Sequence, residues 1–305
     1  MTSTEALSQR IRALARERHA VILAHNYVHA EVQDVADFVG DSLQLSIEAR
    51  DAKAPVIVFC GVRFMAETAK ILSPSATVLH PVPASGCPMA DMAPADKVAE
   101  WKLRHPDHVL VAYVNSTAAC KALVDVCCTS ANAERIVRSI PADRPILFLP
   151  DRNLGANVMA ATGRKMDLWP GFCPTHNRIE PDMAKAARAA HPDAEFLCHP
   201  ECLPAVVALA DAALSTGGML RRVRESPSKE FIIGTETGIL HRMRKEAPGK
   251  VLHPLEPLPT CPNMKKIELE DILHALQTMS PAVEFDPALM DRARAPIERM
   301  LAASE

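Results

Sequence analysis

The sequence predicts an α/β fold: three homologous small units with parallel sheets. Three observations lead there. Cysteine precedes proline three times, at Cys87-Pro88, Cys173-Pro174 and Cys261-Pro262, in steps of 86 and 88 residues. Polar residues recur in one order ahead of each of these cysteines. Strand-like apolar runs alternate with helical stretches, which argues for a parallel sheet in each unit. A fixed period of this kind marks a repeated unit. Four matched features in the same order are hard to assign to chance.

Each unit opens on a helix, predicted over 7–18, 90–104 and 182–190. The second and third helices run into the same tripeptide, His-Pro-Asp, at 105–107 and 191–193. A strand follows in AVILAH, VLVAY and EFLCH, ending on His25, Tyr113 and His199. Two residues later stand Tyr27, Asn115 and Glu201. Side chains at i and i+2 of an extended segment point to one side. A helix rich in Ala and Val comes next. Seventeen residues after the strand ends lie Ser42, Ser130 and Thr216, in the pairs Asp41-Ser42, Thr129-Ser130 and Ser215-Thr216. A hydroxyl opening a helix reads as an N-cap beside free N–H donors. Second strands are predicted over 55–59, 145–149 and 230–233, followed by a turn and helix.

Each unit closes on a Pro-rich loop carrying its Cys-Pro: HPVPASGCP, LWPGFCP and HPLEPLPTCP. Prolines there are expected to exclude regular structure and stiffen the loop. The unit bounds are 1–90, 91–176 and 177–264, with a helical tail over 265–305. Ligands of parallel sheets bind beyond the carboxyl ends of the strands. The recurrent residues fall there or on loops.

Composition excludes several classes. The 305 residues are 48% apolar, enough for extensive cores, with 34 basic and 37 acidic residues and a net charge of −3. No basic block or aromatic stripe points to nucleic acid. No apolar run has the length of a membrane span. The N-terminal segment is amphipathic, without the apolar core of a signal peptide. A cytoplasmic location with reduced thiols is expected, and nine cysteines cannot all pair within the chain.

Three thiolates from three units suit a metal centre with one open position, as a Lewis-acid catalyst needs. The CxxC spacing usual in structural zinc sites is missing. A 4Fe-4S cube takes four ligands, so three cysteines leave one iron free for a substrate oxygen. The remaining cysteines, Cys60, Cys120, Cys127, Cys128, Cys198 and Cys202, read as buried packing residues.

These residues resemble quinolinate synthase, an iron–sulfur enzyme family of NAD biosynthesis. The resemblance spans essentially the whole chain. It is carried by LAHNY (23–27), VGDSLQLS (39–46), GCPMADM (86–92), YVNS (113–116), TSANA (129–133), PDRNLG (150–155), GFCPTH (171–176), CHPEC (198–202), Ser215-Thr216, GTETGIL (234–240) and CPNMK (261–265). It implies three α/β domains arranged about a pseudo-threefold axis, with one 4Fe-4S cluster per chain on Cys87, Cys173 and Cys261. It also implies condensation of iminoaspartate with dihydroxyacetone phosphate to quinolinate, phosphate and water. Some members carry a further CxxCxxC stretch near the C-terminus. This chain has no cysteine after Cys261, so no redox switch is expected there.

That chemistry must hold anions, move protons and expel a hydroxyl. Ser42, Ser130 and Thr216 at helix N-termini are the candidates for anions, with Ser215 beside them. Glu201, His25, His199, His176 and Tyr27 are the candidates for proton movement. The resemblance makes Glu201 the base, sets Tyr27 and His25 at the phosphate and carbonyl end, and gives Tyr113 and Asn115 orienting roles. His176, three residues after Cys173, also suits a group that orients the cysteine loop. An iminoaspartate-producing oxidase is the expected transient partner. Two other classes compete: another enzyme on a three-cysteine cluster, and a non-enzymatic iron–sulfur sensor or carrier.

Overall fold

The computed structural model describes residues 3–304; positions 1, 2 and 305 of the predicted first unit and tail lie outside them. The first sheet holds β1 (Ala20–His25), β2 (Phe38–Gly40), β3 (Val56–Cys60) and β4 (Thr77–Leu79). The second holds β5 (Val109–Tyr113), β6 (Val126–Cys128), β7 (Ile146–Leu149) and β8 (Asp167–Leu168). The third holds β9 (Glu195–Cys198), β10 (Ala212–Ala213), β11 (Glu230–Gly234) and β12 (Val251–Pro254). Every pairing is parallel, and in each sheet the second strand in sequence is at one edge, beside the first, then the third and fourth. The predicted class of three similar α/β units holds.

Two strands per unit were legible; each sheet has four. The added ones are edge strands of two to four residues, such as Ala212–Ala213 and Asp167–Leu168. Segments so short carry no period to read. The predicted strands are continuous apolar runs because both faces are covered. All five residues of β3 and all four of β7 are buried.

A repeated aspartate locks each edge. Asp37, Asp125 and Asp211 accept from the strand N–H of Ile22, Leu110 and Phe196 at 2.8, 2.8 and 2.7 Å. Each aspartate N–H donates back to the carbonyl of the same strand residue. All three lie 12 residues after His25, Tyr113 and His199, so the signal stood in the sequence beside those used above.

The Cys-Pro prolines do not exclude regular structure. Pro88 and Pro174 open one-turn helices, Pro88–Asp91 and Pro174–Asn177, with Cys87 and Cys173 at the N-cap. Proline is suited to the first helical position, since its missing N–H would be unpaired there anyway. The helix predicted over 90–104 is two, Pro88–Asp91 and Ala95–Arg104, broken before Pro94. In the tail, Leu269–Thr278 packs on the N-terminal helix Ser3–Glu17, and Pro287–Ala302 packs on the second unit through β6 and on helix Arg63–Leu72 of the first.

Candidate active site

The carboxyl ends of β1, β5 and β9 meet the three cysteine loops around one cavity. His25, Tyr27, Ser42, Cys87, Tyr113, Asn115, Ser130, Cys173, His176, His199, Glu201, Thr216 and Cys261 all line it. Of the predicted site residues only Ser215 does not. Its hydroxyl accepts from Gly218 N–H at 3.2 Å and caps helix Thr216–Glu225.

The capping assignment needs correction elsewhere too. Ser42 and Thr216 are first helical residues, not caps. The cap of helix Ser42–Asp51 is Asp41, whose Oδ1 accepts from Gln44 N–H at 2.9 Å. Its Oδ2 also receives Gly217 N–H at 3.3 Å and the Ser215 hydroxyl at 3.4 Å, so one carboxyl serves helix ends of two units. Burial raises the Asp41 carboxyl above its usual range. In the second unit the helix starts later, at Ala133, and Ser130 sits in the turn before it.

A buried hydrogen-bond chain crosses the cavity floor. Tyr113 Oη donates to Glu201 Oε1 at 2.5 Å. His176 Nδ1 stands 2.7 Å from Glu201 Oε2 and 3.2 Å from Cys173 Sγ. Its Nε2 is 2.8 Å from Thr235 Oγ1, which lies 2.6 Å from Tyr27 Oη. One proton assignment satisfies every group: Tyr27 donates to Thr235, Thr235 to His176 Nε2, and His176 Nδ1 to Glu201. Burial opposes charge on Glu201. The His199 and His176 rings and the bonds from His176 and Tyr113 outweigh it, and hold the carboxyl well below its usual range.

His25 and His199 are built alike. The N–H of the residue two ahead, Tyr27 or Glu201, donates to the ring Nδ1 at 3.2 and 3.3 Å. Burial lowers both pKa values to about 3. Both rings are neutral at pH 7, and with Nδ1 accepting, Nε2 carries the proton. Asn115 Oδ1 is buried with no partner among the described residues. The Thr216 hydroxyl accepts from Asn26 Nδ2 of the first unit at 3.1 Å.

The nine cysteines divide as expected: Cys87, Cys173 and Cys261 are partly exposed and face the cavity, and the other six are buried. Burial pushes the Cys87 thiol up to about 12 and raises Cys173 well above the usual thiol range. Bare thiolates are unfavourable here, so a bound cation would have to draw off the protons. All three are unpaired thiols lining one cavity, and the donor set is all sulfur, which suits iron–sulfur or zinc chemistry. Cys173, His176 and Glu201 also bring donor atoms within 4.8 Å of one another. His176 and Glu201 are, however, already hydrogen-bonded to each other and to Thr235 and Tyr113.

The chain matches the quinolinate synthetase A protein family over residues 9–302. It belongs to the quinolinate synthase family of enzymes. A protein of Geobacter metallireducens named quinolinate synthase is 53% identical over 298 residues, 98% of each chain. One from Thermus thermophilus, of the same name, is 51% identical over 302 residues, 98% of this chain and 97% of its own. That of Desulforudis audaxviator is 50% identical over 302 residues, 99% of this chain and all of its own. Among the described residues no helix is long and apolar enough to cross a membrane.

Sequence reasoning missed three residues in or behind this cavity and set a fourth aside. Asp41 passed as the neighbour of a hydroxyl, and Thr235 carried no repeat. Asp151 lies behind the wall, at the start of helix Arg152–Thr162. Glu236, in the turn after β11, is the one set aside, and it lines the cavity fully buried.

Proposed function

We propose that the protein condenses iminoaspartate with dihydroxyacetone phosphate to give quinolinate, phosphate and water. Cys87, Cys173 and Cys261 would hold one 4Fe-4S cluster, leaving one iron without a protein ligand. One observation carries the reading: three unpaired cysteines share a cavity with a buried Glu201 braced by Tyr113 and His176. When bound, the cluster supplies Lewis acidity toward a substrate oxygen, with no net redox change.

The chain's own groups do the rest. Glu201 removes carbon-bound protons and returns protons to departing oxygens, a role worth about 10²–10⁴-fold. Its two braces keep it charged and aimed. His25 and His199 each offer an Nε2–H to a carbonyl or carboxylate oxygen. The unpartnered Asn115 Oδ1 can accept an imine or amine N–H. Hydroxyls of Ser42, Ser130 and Thr216 hold carboxylate or phosphate oxygens. Tyr27 acts at the phosphate and carbonyl end, linked to Glu201 through Thr235 and His176. Iminoaspartate hydrolyses in water, so a transient contact with the oxidase that makes it, in the cytoplasm, completes the proposal. The reaction would feed NAD biosynthesis.

A single zinc ion on Cys173, His176 and Glu201 is the second reading, favoured by their mutual approach within 4.8 Å. It would consume the base. Family membership over nearly the whole chain favours the synthase over other three-cysteine enzymes and over a sensor. Anaerobic protein is to be analysed for iron, sulfide and zinc, and assayed for quinolinate. Four irons and four sulfides per chain with quinolinate formed are expected on the 4Fe-4S reading. One zinc per chain, or no quinolinate from cluster-loaded protein, overturns it.

A further inference from the structure

We propose that Asp151 and Glu236 are positioning residues: their buried carboxyls grip the backbone N–H of Cys173 and Cys261 and set those two thiols, while the Cys87 loop has no such grip. The inference rests on the reading of the three cysteines as cluster ligands. Both carboxyls are fully buried. Asp151 Oδ1 accepts from the N–H groups of Asn153 and Leu154 at 2.8 and 2.9 Å, capping its helix. Its Oδ2 is left for Cys173 N–H, at 3.2 Å. Glu236 Oε1 accepts from Cys261 N–H at 3.1 Å and its Oε2 from Gly238 N–H at 2.7 Å.

Lys265 Nζ lies 2.9 Å from Glu236 Oε1 and also donates to the Tyr27 carbonyl. The Glu236 grip therefore reaches across to the first unit. The approach is close. A Cβ on Gly238 would stand 2.8 Å from both Glu236 Oε2 and the Tyr27 backbone carbon, and 2.7 Å from Lys265 Nζ.

The first unit differs. The aligned turn after β3 holds Val62 and Arg63, neither an acid. No acceptor meets Cys87 N–H among the described residues. That loop is tied two residues earlier, where Ser85 donates to the Asn263 carbonyl at 2.8 Å and accepts from Arg63 N–H at 2.8 Å. Burying carboxyls is costly unless they are well bonded, and these two spend an oxygen each on a cysteine amide. Holding the amide fixes the direction of the side chain that follows it. It also keeps that N–H from a cluster sulfur, where it would shift the potential. Two ligands are thus preset and the third must settle.

The apo chain labelled with ¹⁵N-cysteine gives a direct test, since its nine amides can be followed singly by hydrogen exchange. Cys173 and Cys261 should exchange about tenfold slower than Cys87, the scale of one hydrogen bond. Asp151→Ala should release Cys173 alone, and Glu236→Ala Cys261. Asp151→Asn and Glu236→Gln keep one acceptor oxygen where the carboxylate uses two, so exchange at the matching cysteine should fall between the parent and alanine values. In reconstituted protein the alanine variants should lose iron to a chelator about tenfold faster, and the amide variants at rates between alanine and parent. Equal exchange at all three cysteines in the parent chain would overturn the proposal even if the alanine variants failed to fold. So would an Asp151→Ala chain with unchanged Cys173 exchange and iron loss. Failure of the parent chain to take up iron would sink the cluster reading and leave the exchange pattern to decide the positioning.

Discussion

The first and third units have the same strand order, the same edge aspartate and the same ring geometry at the cavity. In each, a neutral histidine accepts the N–H of the residue two ahead. They part at that residue. The first unit presents Tyr27, whose phenol is raised well above its usual range by burial. The third presents Glu201, held far below its own. At the matching strand end the second unit has Tyr113 in place of an imidazole, and Tyr113 serves Glu201 instead. A repeated scaffold thus offers similar corners and assigns one proton donor and one proton acceptor to them. The lesson is that symmetry places groups, while neighbours decide their charge.

The largest expected break in this comparison is Glu201→Gln. The two hydrogen-bond donors remain, but the base is gone, and turnover should fall about 10²–10⁴-fold with iron content unchanged. Near-normal turnover in an anaerobic assay would return Glu201 to a packing role.

Thr235→Val sharpens the contrast, because it cuts the link between Tyr27 and His176 while keeping shape. It leaves two buried partners unsatisfied at about 1–3 kcal/mol each. A fall in kcat larger than the change in KM is expected, with recovery in Thr235→Ser. Equal turnover of the valine and serine variants would show that the chain of bonds carries no proton.

Alanine at Ser42, Ser130 or Thr216 should do less. Each removes one hydroxyl contact worth about 0.5–1.5 kcal/mol, so KM should rise several-fold with the cluster retained. Unchanged steady-state profiles in all three would remove them from the substrate site.

The mildest effect is on pH and stability. A thiol whose folded pKa is raised keeps its proton longer in the fold, so its contribution is present below the ordinary thiol range and is lost as pH rises. For Cys87 that window runs from about 9 to about 12. A metal-bound thiolate carries no such proton. The melting-temperature gap between holo and apo protein should therefore widen from pH 7.5 to 9.5. A gap independent of pH would mean that these thiols are not the ligands.

The sequence alone determined the triplication, the three cavity cysteines and nearly every polar group around them. A repeat period and apolar strand runs are local patterns, and they survive without knowledge of the third dimension. Thirteen of the fourteen predicted site residues line the cavity on that basis, Ser215 being the exception. Tertiary structure alone decided which neighbours meet. The contact of Asp41 with the helix of another unit spans 176 residues, and that of Tyr27 with Thr235 spans 208. Ionisation is set by burial and by such distant partners, so no local pattern could show that Glu201 is charged while His25 and His199 are not. The short edge strands were unreadable for a related reason: they exist because β1, β5 and β9 on one side and β3, β7 and β11 on the other offer free backbone groups beside them, not because two to four residues prefer to be extended.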